Sequence, residues 1–181
     1  VSGEGAQQRI AIRTPRAQLA ETVEATDPRL QAALKGWTLG TLPPARMQGG
    51  RSWWVVQVAD EATLRALRPD WDAVAALAES TDSMGVFAYA FSDGREGFDL
   101  AVRAFVGNGR RFEDAASGAA NAVLAAWLDL RDALPHGRAP FEVSQGREVG
   151  HDARLTLRVD EEGQVWSGGQ VQTVISGTID W

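Results

Sequence analysis

Short runs of apolar residues, of the length and composition typical of strands, cover most of this chain. The segments RIAIR, WWVVQV and VFAYAF are the clearest of these, and Ser92-Asp93-Gly94 provides a turn after the third. We predict that residues 98–106 pair back across this turn as a hairpin. In full, the predicted strands are 9–13, 52–59, 85–91, 98–106, 140–145, 153–160, 164–167 and 170–179.

Helical signals are fewer, and each follows a residue that can cap a helix. Asp27, Asp60, Asp70 and Ser117 precede such segments, and their side-chain oxygens can accept bonds from free N–H groups of a first turn. The predicted helices cover residues 28–35, 61–67, 71–79 and 117–130. Residues 38–50 contain Pro-Pro and Gly-Gly pairs and are predicted to be a linker.

The segment 117–130 determines the predicted fold class. Val123, Leu124, Trp127 and Leu128 recur at helical spacing, and alanines fill most remaining positions, so this helix is apolar nearly all round. Such a helix has to be enclosed on most sides. We therefore predict an α+β fold, in which a mostly antiparallel, strongly bent sheet or barrel wraps around a central apolar helix.

Composition and charge exclude several classes of partner. The chain has 181 residues, 44% of them hydrophobic, which is enough to form a core. Its net charge is −6, and both nucleic acid and anionic membrane surfaces require a basic face, so neither is an expected partner. No apolar run is long enough to span a membrane. A polar N-terminus without a signal-peptide pattern leads us to expect a cytoplasmic protein.

The content of cysteine and histidine limits the possible chemistry. There are no cysteines, which excludes disulfides, thiolate catalysis and Cys-based zinc sites. The two histidines, His136 and His151, lie apart in polar segments, so a metal centre is not expected. No G-x-S-x-G motif or well-placed histidine supports a catalytic triad.

The strongest candidate chemistry lies at the start of the apolar helix. Asp114 stands just before Ser117 and Gly118, where the first-turn N–H groups and the helix dipole can bind an anion. A carboxylate beside an anion site could transfer a proton on a carboxylic acid. The alternative is an ordinary helix start, because acidic and small residues are common there.

Four segments in order resemble motifs of the phenazine-biosynthesis PhzF family. Residues 113–120 (EDAASGAA) resemble its E-D-P-A-T-G-S-A motif, and residues 100–105 occupy the place of its R-x-F strand. Residues 144–146 (SQG) with Gly150 resemble its S-Q-G-x-x-x-G segment. Residues 168–179 resemble its closing G-G-x-x-x-x-x-x-G-x-I strands.

The resemblance implies a diaminopimelate epimerase-like fold, in which two similar halves enclose the active site. It also implies an isomerase or epimerase that moves a proton on a small carboxylic acid, without metal or cofactor. The family's named member isomerises trans-2,3-dihydro-3-hydroxyanthranilate. On this basis Asp114 is the expected catalytic residue. The expected substrate-binding residues are Ser117, Gly118, Ala119, Ala120, Arg103 and Gly146. Arg103 could instead form an ion pair, and Glu113 is expected to be structural.

The chain departs from the family pattern at several points. Neither the S-E-T segment nor the G-H-A-T loop of the family's first half occurs. Ala119 replaces a serine, Ser117 replaces a threonine, and His151 stands at the place of an arginine that Arg147 or Arg154 could replace.

These departures lead to a prediction for the domain organisation. Residues 1–48 are expected to be a remnant of the first half plus linker, residues 49–167 the second domain, and residues 168–181 closing strands. The missing N-terminal half or a partner chain would then complete the site, and a homodimer is expected. Two non-catalytic alternatives stay open, a small-acid-binding protein and a scaffold subunit of a hetero-oligomer.

Overall fold

A computed structural model describes residues 8–171 and 174–179 of the chain. The helices are α1 (Pro28–Gln31), α2 (Glu61–Ala66), α3 (Trp71–Ser80) and α4 (Gly118–Leu130). The strands are β1 (Arg9–Thr14), β2 (Gln18–Thr22), β3 (Ala45–Gln48), β4 (Ser52–Gln57), β5 (Gly85–Phe91), β6 (Leu100–Val106), β7 (Phe112–Asp114), β8 (Phe141–Gln145), β9 (Ala153–Val159) and β10 (Val165–Gln170).

All ten strands belong to one mixed sheet. Nine of them follow the order β1-β10-β9-β8-β6-β5-β4-β3-β2, and β7 pairs with β6 beside this path. The pairs β4–β5 and β6–β8 are parallel, and the other strand pairs are antiparallel. The consecutive strands β1 and β2 therefore occupy opposite ends of the sheet.

One face of the sheet packs against α4. Nine consecutive residues of this helix, Ala120 to Leu128, are buried, and the helix contacts β3, β4, β9 and β10. Its alanines leave room for strands to approach, while Val123, Leu124 and Trp127 fill the core. The opposite face packs against α2 and α3, which lie over β5 and β6.

The predicted caps are confirmed at α2 and α4. Asp60 accepts a bond of 2.7 Å from Thr63 N–H, and Ser117 Oγ accepts one of 3.3 Å from Ala120 N–H. The first helix ends at Gln31 rather than at residue 35, because Lys35 N–H bonds to Ala32 O and the chain continues as turns.

Four elements differ from the sequence prediction. Neither β2 nor the short strand β7 before α4 was predicted, and the predicted linker contains β3. β10 runs without interruption through Gly168 and Gly169, although this pair was expected to separate two strands. A Cβ at Gly168 would overlap Ile10 O of β1, so the glycine permits close strand pairing. Of the predicted strand 170–179, only Gln170 belongs to a strand, as the last residue of β10. Residues 174–179 do not form a strand, and residues 172 and 173 lie outside the described part of the chain.

The sheet also bears on the wider organisation of the chain. Residues 9–22 join it at both ends, through β1 on β10 and β2 on β3. The division into residues 1–48, 49–167 and 168–181 stays a prediction. Within residues 8–171 and 174–179, no helix has the length and apolar character needed to cross a membrane.

Candidate active site

Asp114 lies at the end of β7, directly before the turn into α4. In the pairing of β7 with β6, Asp114 is opposite Ala104 and Glu113 is opposite Phe105. Ala104 belongs to the core on the α4 side of the sheet, and Phe105 belongs to the core on the other side. Because paired residues share a face, the two neighbouring carboxylates point to opposite faces. Asp114 is the one on the α4 side.

The first turn of α4 leaves two N–H groups for an anion. Ala120 N–H bonds to Ser117 Oγ at 3.3 Å, and Asn121 N–H bonds to Ser117 O at 3.0 Å. Gly118 and Ala119 are exposed, and the described part of the chain provides no acceptor for their N–H groups. This corrects the expectation for Ala120, whose N–H is used by the cap. The candidate anion site therefore consists of Gly118 and Ala119 N–H at the positive end of the helix dipole.

A tight turn connects Asp114 with this anion site. Asp114 Oδ1 accepts a bond of 3.3 Å from Ala116 N–H, a side-chain turn that bends the chain toward α4. Asp114 is half-buried. The Asp114 carboxylate and the N–H groups of Gly118 and Ala119 are thus held within one short segment.

An open groove of about 580 Å³ lies beside the start of α4. Ile10 and Ile12 of β1, Leu155 of β9 and Ser167 of β10 line it, and Gly118 lies at its edge. A Cβ at Gly118 would come within 3.3 Å of Ser167 Oγ, so glycine allows the helix start to sit close to β10. Ile12 is 63% exposed, which makes this wall apolar and open.

Arg103 lies on the opposite face of the sheet. Its Nε and Nη2 donate to the two carboxylate oxygens of Glu113 at 2.9 and 2.7 Å, and Nη1 donates to Leu64 O and Leu67 O at the end of α2. The side chains of Arg103 and Glu113 are 4% and 5% exposed. This placement corrects the expectation that Arg103 binds substrate. The structural role expected of Glu113, a bond to a neighbouring strand, is confirmed.

Gln145 is a site residue that the sequence analysis included in the S-Q-G resemblance but gave no role. Its amide, at the end of β8, donates to Asp114 O at 2.7 Å and accepts from Ser117 N–H at 3.2 Å. The available signal was its place in the S-Q-G segment, next to Gly146. Gly146 lies in the left-handed region at φ 87°, and a Cβ there would overlap Ala115 O. It therefore supports the 114–117 turn by its backbone.

The arginines that could replace the family's arginine have partners of their own. Arg147 donates to Asp152 at 3.0 Å and lies 2.6 Å from Glu96. The Arg147 guanidinium holds the pKa of the Asp152 carboxyl below its usual value. Arg154 lies 3.1 Å from Asp152 and 4.6 Å from the ring centre of Phe98. His151 is exposed, and Arg154 lines the groove beside the start of α4 together with Asp152.

The described residues do not group metal-binding side chains. Within 8–171 and 174–179, no cluster of three or more His, Asp or Glu side chains has an arrangement that could hold a metal ion.

Gly146→Ala should damage the site more than the same change at Gly150. Both glycines have positive φ, 87° and 82°, but only Gly146 abuts another backbone. We expect Gly146→Ala to lower the free energy of unfolding by more than about 2 kcal/mol, and Gly150→Ala by about 1 kcal/mol. Urea denaturation of both variants measures the difference. Equal losses would contradict the proposed contact with Ala115 O.

Comparison with known proteins adds to this geometry. A family model described as phenazine biosynthesis-like protein (PhzC-PhzF) matches residues 1–177. The sequence is 29% identical over 119 residues to the uncharacterized isomerase YddE of Escherichia coli K12, covering 61% of this chain and 37% of that protein.

Two solved structures have the same fold. A predicted epimerase from Pseudomonas aeruginosa superimposes with a TM-score of 0.66 at 27% identity, over 91% of this chain and 56% of that one. A PhzF-family phenazine biosynthesis protein from Bacillus anthracis superimposes with a TM-score of 0.70 at 17% identity, over 90% and 57%. The chain thus spans less than two thirds of each of these three proteins.

Proposed function

Because the chain belongs to the phenazine biosynthesis-like (PhzC-PhzF) family, we propose that it forms one wall of the active site of an isomerase or epimerase. The enzyme moves a proton on a small carboxylic acid by acid/base catalysis without a cofactor. The observation that carries this proposal is the position of Asp114 one short turn before Gly118 and Ala119, whose N–H groups have no acceptor in the described chain. The names of the E. coli isomerase and the Pseudomonas epimerase support the same reaction class.

Binding of the substrate begins at the anion site. The substrate carboxylate accepts bonds from Gly118 and Ala119 N–H, and the dipole of α4 favours its negative charge. The apolar wall formed by Ile10, Ile12 and Leu155 would contact the carbon skeleton. These contacts orient the substrate without neutralising Asp114.

Proton transfer is then the task of Asp114. As a base it removes a proton from a carbon near the bound carboxylate, and the electron pair is delocalised toward that carboxylate while the N–H groups stabilise its growing charge. A second acid returns a proton to another carbon or to the opposite face. The reaction conserves all atoms and needs no oxidant or reductant. In the reverse direction Asp114 acts as the acid.

The second acid would come from outside this chain. The groove beside Gly118 is open, and the chain spans about half the length of the solved relatives. We propose that an N-terminal half or a partner chain covers the groove and supplies a carboxylate. In this arrangement α4 is the central helix of one half, and a homodimer in the cytoplasm is the expected form.

Solvent deuterium incorporation tests the proposal. The complete protein is incubated in D₂O with a panel of small carboxylic acids that begins with trans-2,3-dihydro-3-hydroxyanthranilate, and exchange at carbon is followed by NMR. We expect exchange into at least one acid, with a Michaelis dependence on its concentration. Methyl esters of the same acids are the control, because they lack the charge that the N–H groups bind.

A non-catalytic protein that binds small acids is the second candidate. Ala119 favours it, because this residue lacks the hydroxyl that the family's serine carries. Saturable binding of an acid at Gly118 and Ala119, with no exchange of its carbon-bound hydrogens, would favour this candidate over the isomerase.

A further inference from the structure

The amide of Gln145 connects the two parts of the candidate site. Its Nε2 donates to Asp114 O at 2.7 Å, and its Oε1 accepts from Ser117 N–H at 3.2 Å and from Asn121 Nδ2 at 2.8 Å. Asp114 precedes the turn, whereas Ser117 and Asn121 belong to the start of α4. A single side chain thus bonds to both sides of the anion site.

Gln145 is itself fixed by the sheet. It is 0% exposed, and it is paired with Val102 of β6 on one side and with Ala153 of β9 on the other. The next residue, Gly146, lies against Ala115 O. The turn from Asp114 to Ser117 is therefore held against a rigid part of the sheet, rather than by its own short bonds alone.

The three bonds require an amide of this length. A donor has to face Asp114 O while an acceptor faces Ser117 N–H, and an amide side chain carries both groups in one plane. Glutamate in its ionised form would keep the acceptor but lose the donor. Methionine has a similar length but makes none of the three bonds.

We infer that Gln145 is a positioning residue that sets the separation between the Asp114 carboxylate and the Gly118 and Ala119 N–H groups. This inference rests on the proposed function, because the separation affects a rate only if a substrate bridges the two. Gln145 acts through the backbone and does not touch the substrate. Its removal should therefore lower kcat more than it raises KM, since misplacement of a base impairs proton transfer.

The test compares Gln145→Met and Gln145→Glu with Gln57→Met in the complete protein. Gln57 is a matched control, 9% exposed, whose Oε1 accepts from Leu42 N–H at 2.7 Å and contacts no residue of the site. Hydrogen–deuterium exchange of the peptide containing Ser117 reports the geometry. Turnover of the acid that exchanges in the panel reports the rate, and far-UV circular dichroism reports the fold.

We expect Gln145→Met to speed exchange at Ser117 and to lower kcat by about 10- to 100-fold, with KM changed by less than about 3-fold. Gln145→Glu keeps the bond to Ser117, so its exchange there should stay near wild type while kcat falls. Gln57→Met should leave kcat and Ser117 exchange unchanged.

Two results would overturn the inference. Unchanged exchange at Ser117 in Gln145→Met would mean that the amide does not hold the turn. Faster exchange with unchanged kcat would mean that the held geometry does not matter for the reaction. A wild-type protein that exchanges no acid in the panel would instead refute the proposed function, and the Ser117 exchange still reports separately whether Gln145 holds the turn.

Discussion

Asp114→Asn in the complete protein is expected to lower kcat by about 100- to 10,000-fold, the usual range for loss of a general acid or base. The asparagine has nearly the same shape, and its Oδ1 can still accept from Ala116 N–H. It cannot take up a proton from carbon. KM should change little, because Gly118 and Ala119 N–H are untouched. Deuterium exchange into the substrate measures the loss directly.

Asp93→Asn is the matched control for this change. Its side chain is 60% exposed in the turn after β5, and it pairs at 3.2 Å with the exposed Arg95. We expect the control to retain wild-type turnover. Wild-type exchange in Asp114→Asn would remove this residue from the mechanism.

Arg103→Met should be among the most destabilising single changes that keep a similar volume. It leaves the Glu113 carboxylate, 5% exposed, without its cation, and it removes the donor to Leu64 O and Leu67 O. Loss of one member of a buried ion pair costs about 3–5 kcal/mol. Urea denaturation monitored by tryptophan fluorescence gives this loss as a change in the free energy of unfolding.

The double variant Arg103→Met/Glu113→Leu separates the cost of an unpaired charge from the value of the pair. A hydrophobic replacement of both members is often nearly neutral, so the double variant should recover most of the stability lost by the single one. Arg95→Met, at an exposed pair, should change stability by less than about 0.5 kcal/mol. A loss below about 1 kcal/mol in Arg103→Met would contradict the buried role.

Local signals were sufficient to predict where α2, α3 and α4 begin. Asp60, Asp70 and Ser117 each cap the helix that they were predicted to begin, because capping depends on a side chain and the next three N–H groups. The hairpin of β5 and β6 was equally local, with a turn at Ser92 to Gly94 between two apolar runs. Such signals need no knowledge of the rest of the fold.

The role of Arg103 could not be predicted in the same way. Alternation along β6 shows that Arg103 shares a face with Phe105, but it does not show whether that face meets α4 or α2. Which face Arg103 occupies depends on the strand order and on the pairing of β6 with β7, and neither can be read from local sequence. The bonds of Gln145 were hidden for the same reason, because its partners lie 31 and 28 positions away.

The missed strands have a simpler physical cause. β3 is only four residues long and lies between Pro43-Pro44 and Gly49-Gly50, so turn signals on both sides outweighed its pattern. In β10 the pair Gly168-Gly169 is typical of a turn. Its use inside a strand becomes evident only from the close approach of β1.

The pairing of β1 with β10 has a consequence for the order of folding. Thr14 Oγ1 donates to Val165 O across 151 positions of sequence. β1 is an edge strand that pairs only with β10 in the described sheet. Closing so long a loop costs entropy that only a few edge contacts repay, so we expect this pair to form late and to open early. Ile10 and Ile12, which line the groove, depend on it. Gln145 lies on the interior strand β8, and Asp114 lies on β7, which pairs with the interior strand β6, so both should be in place before this wall of the groove exists.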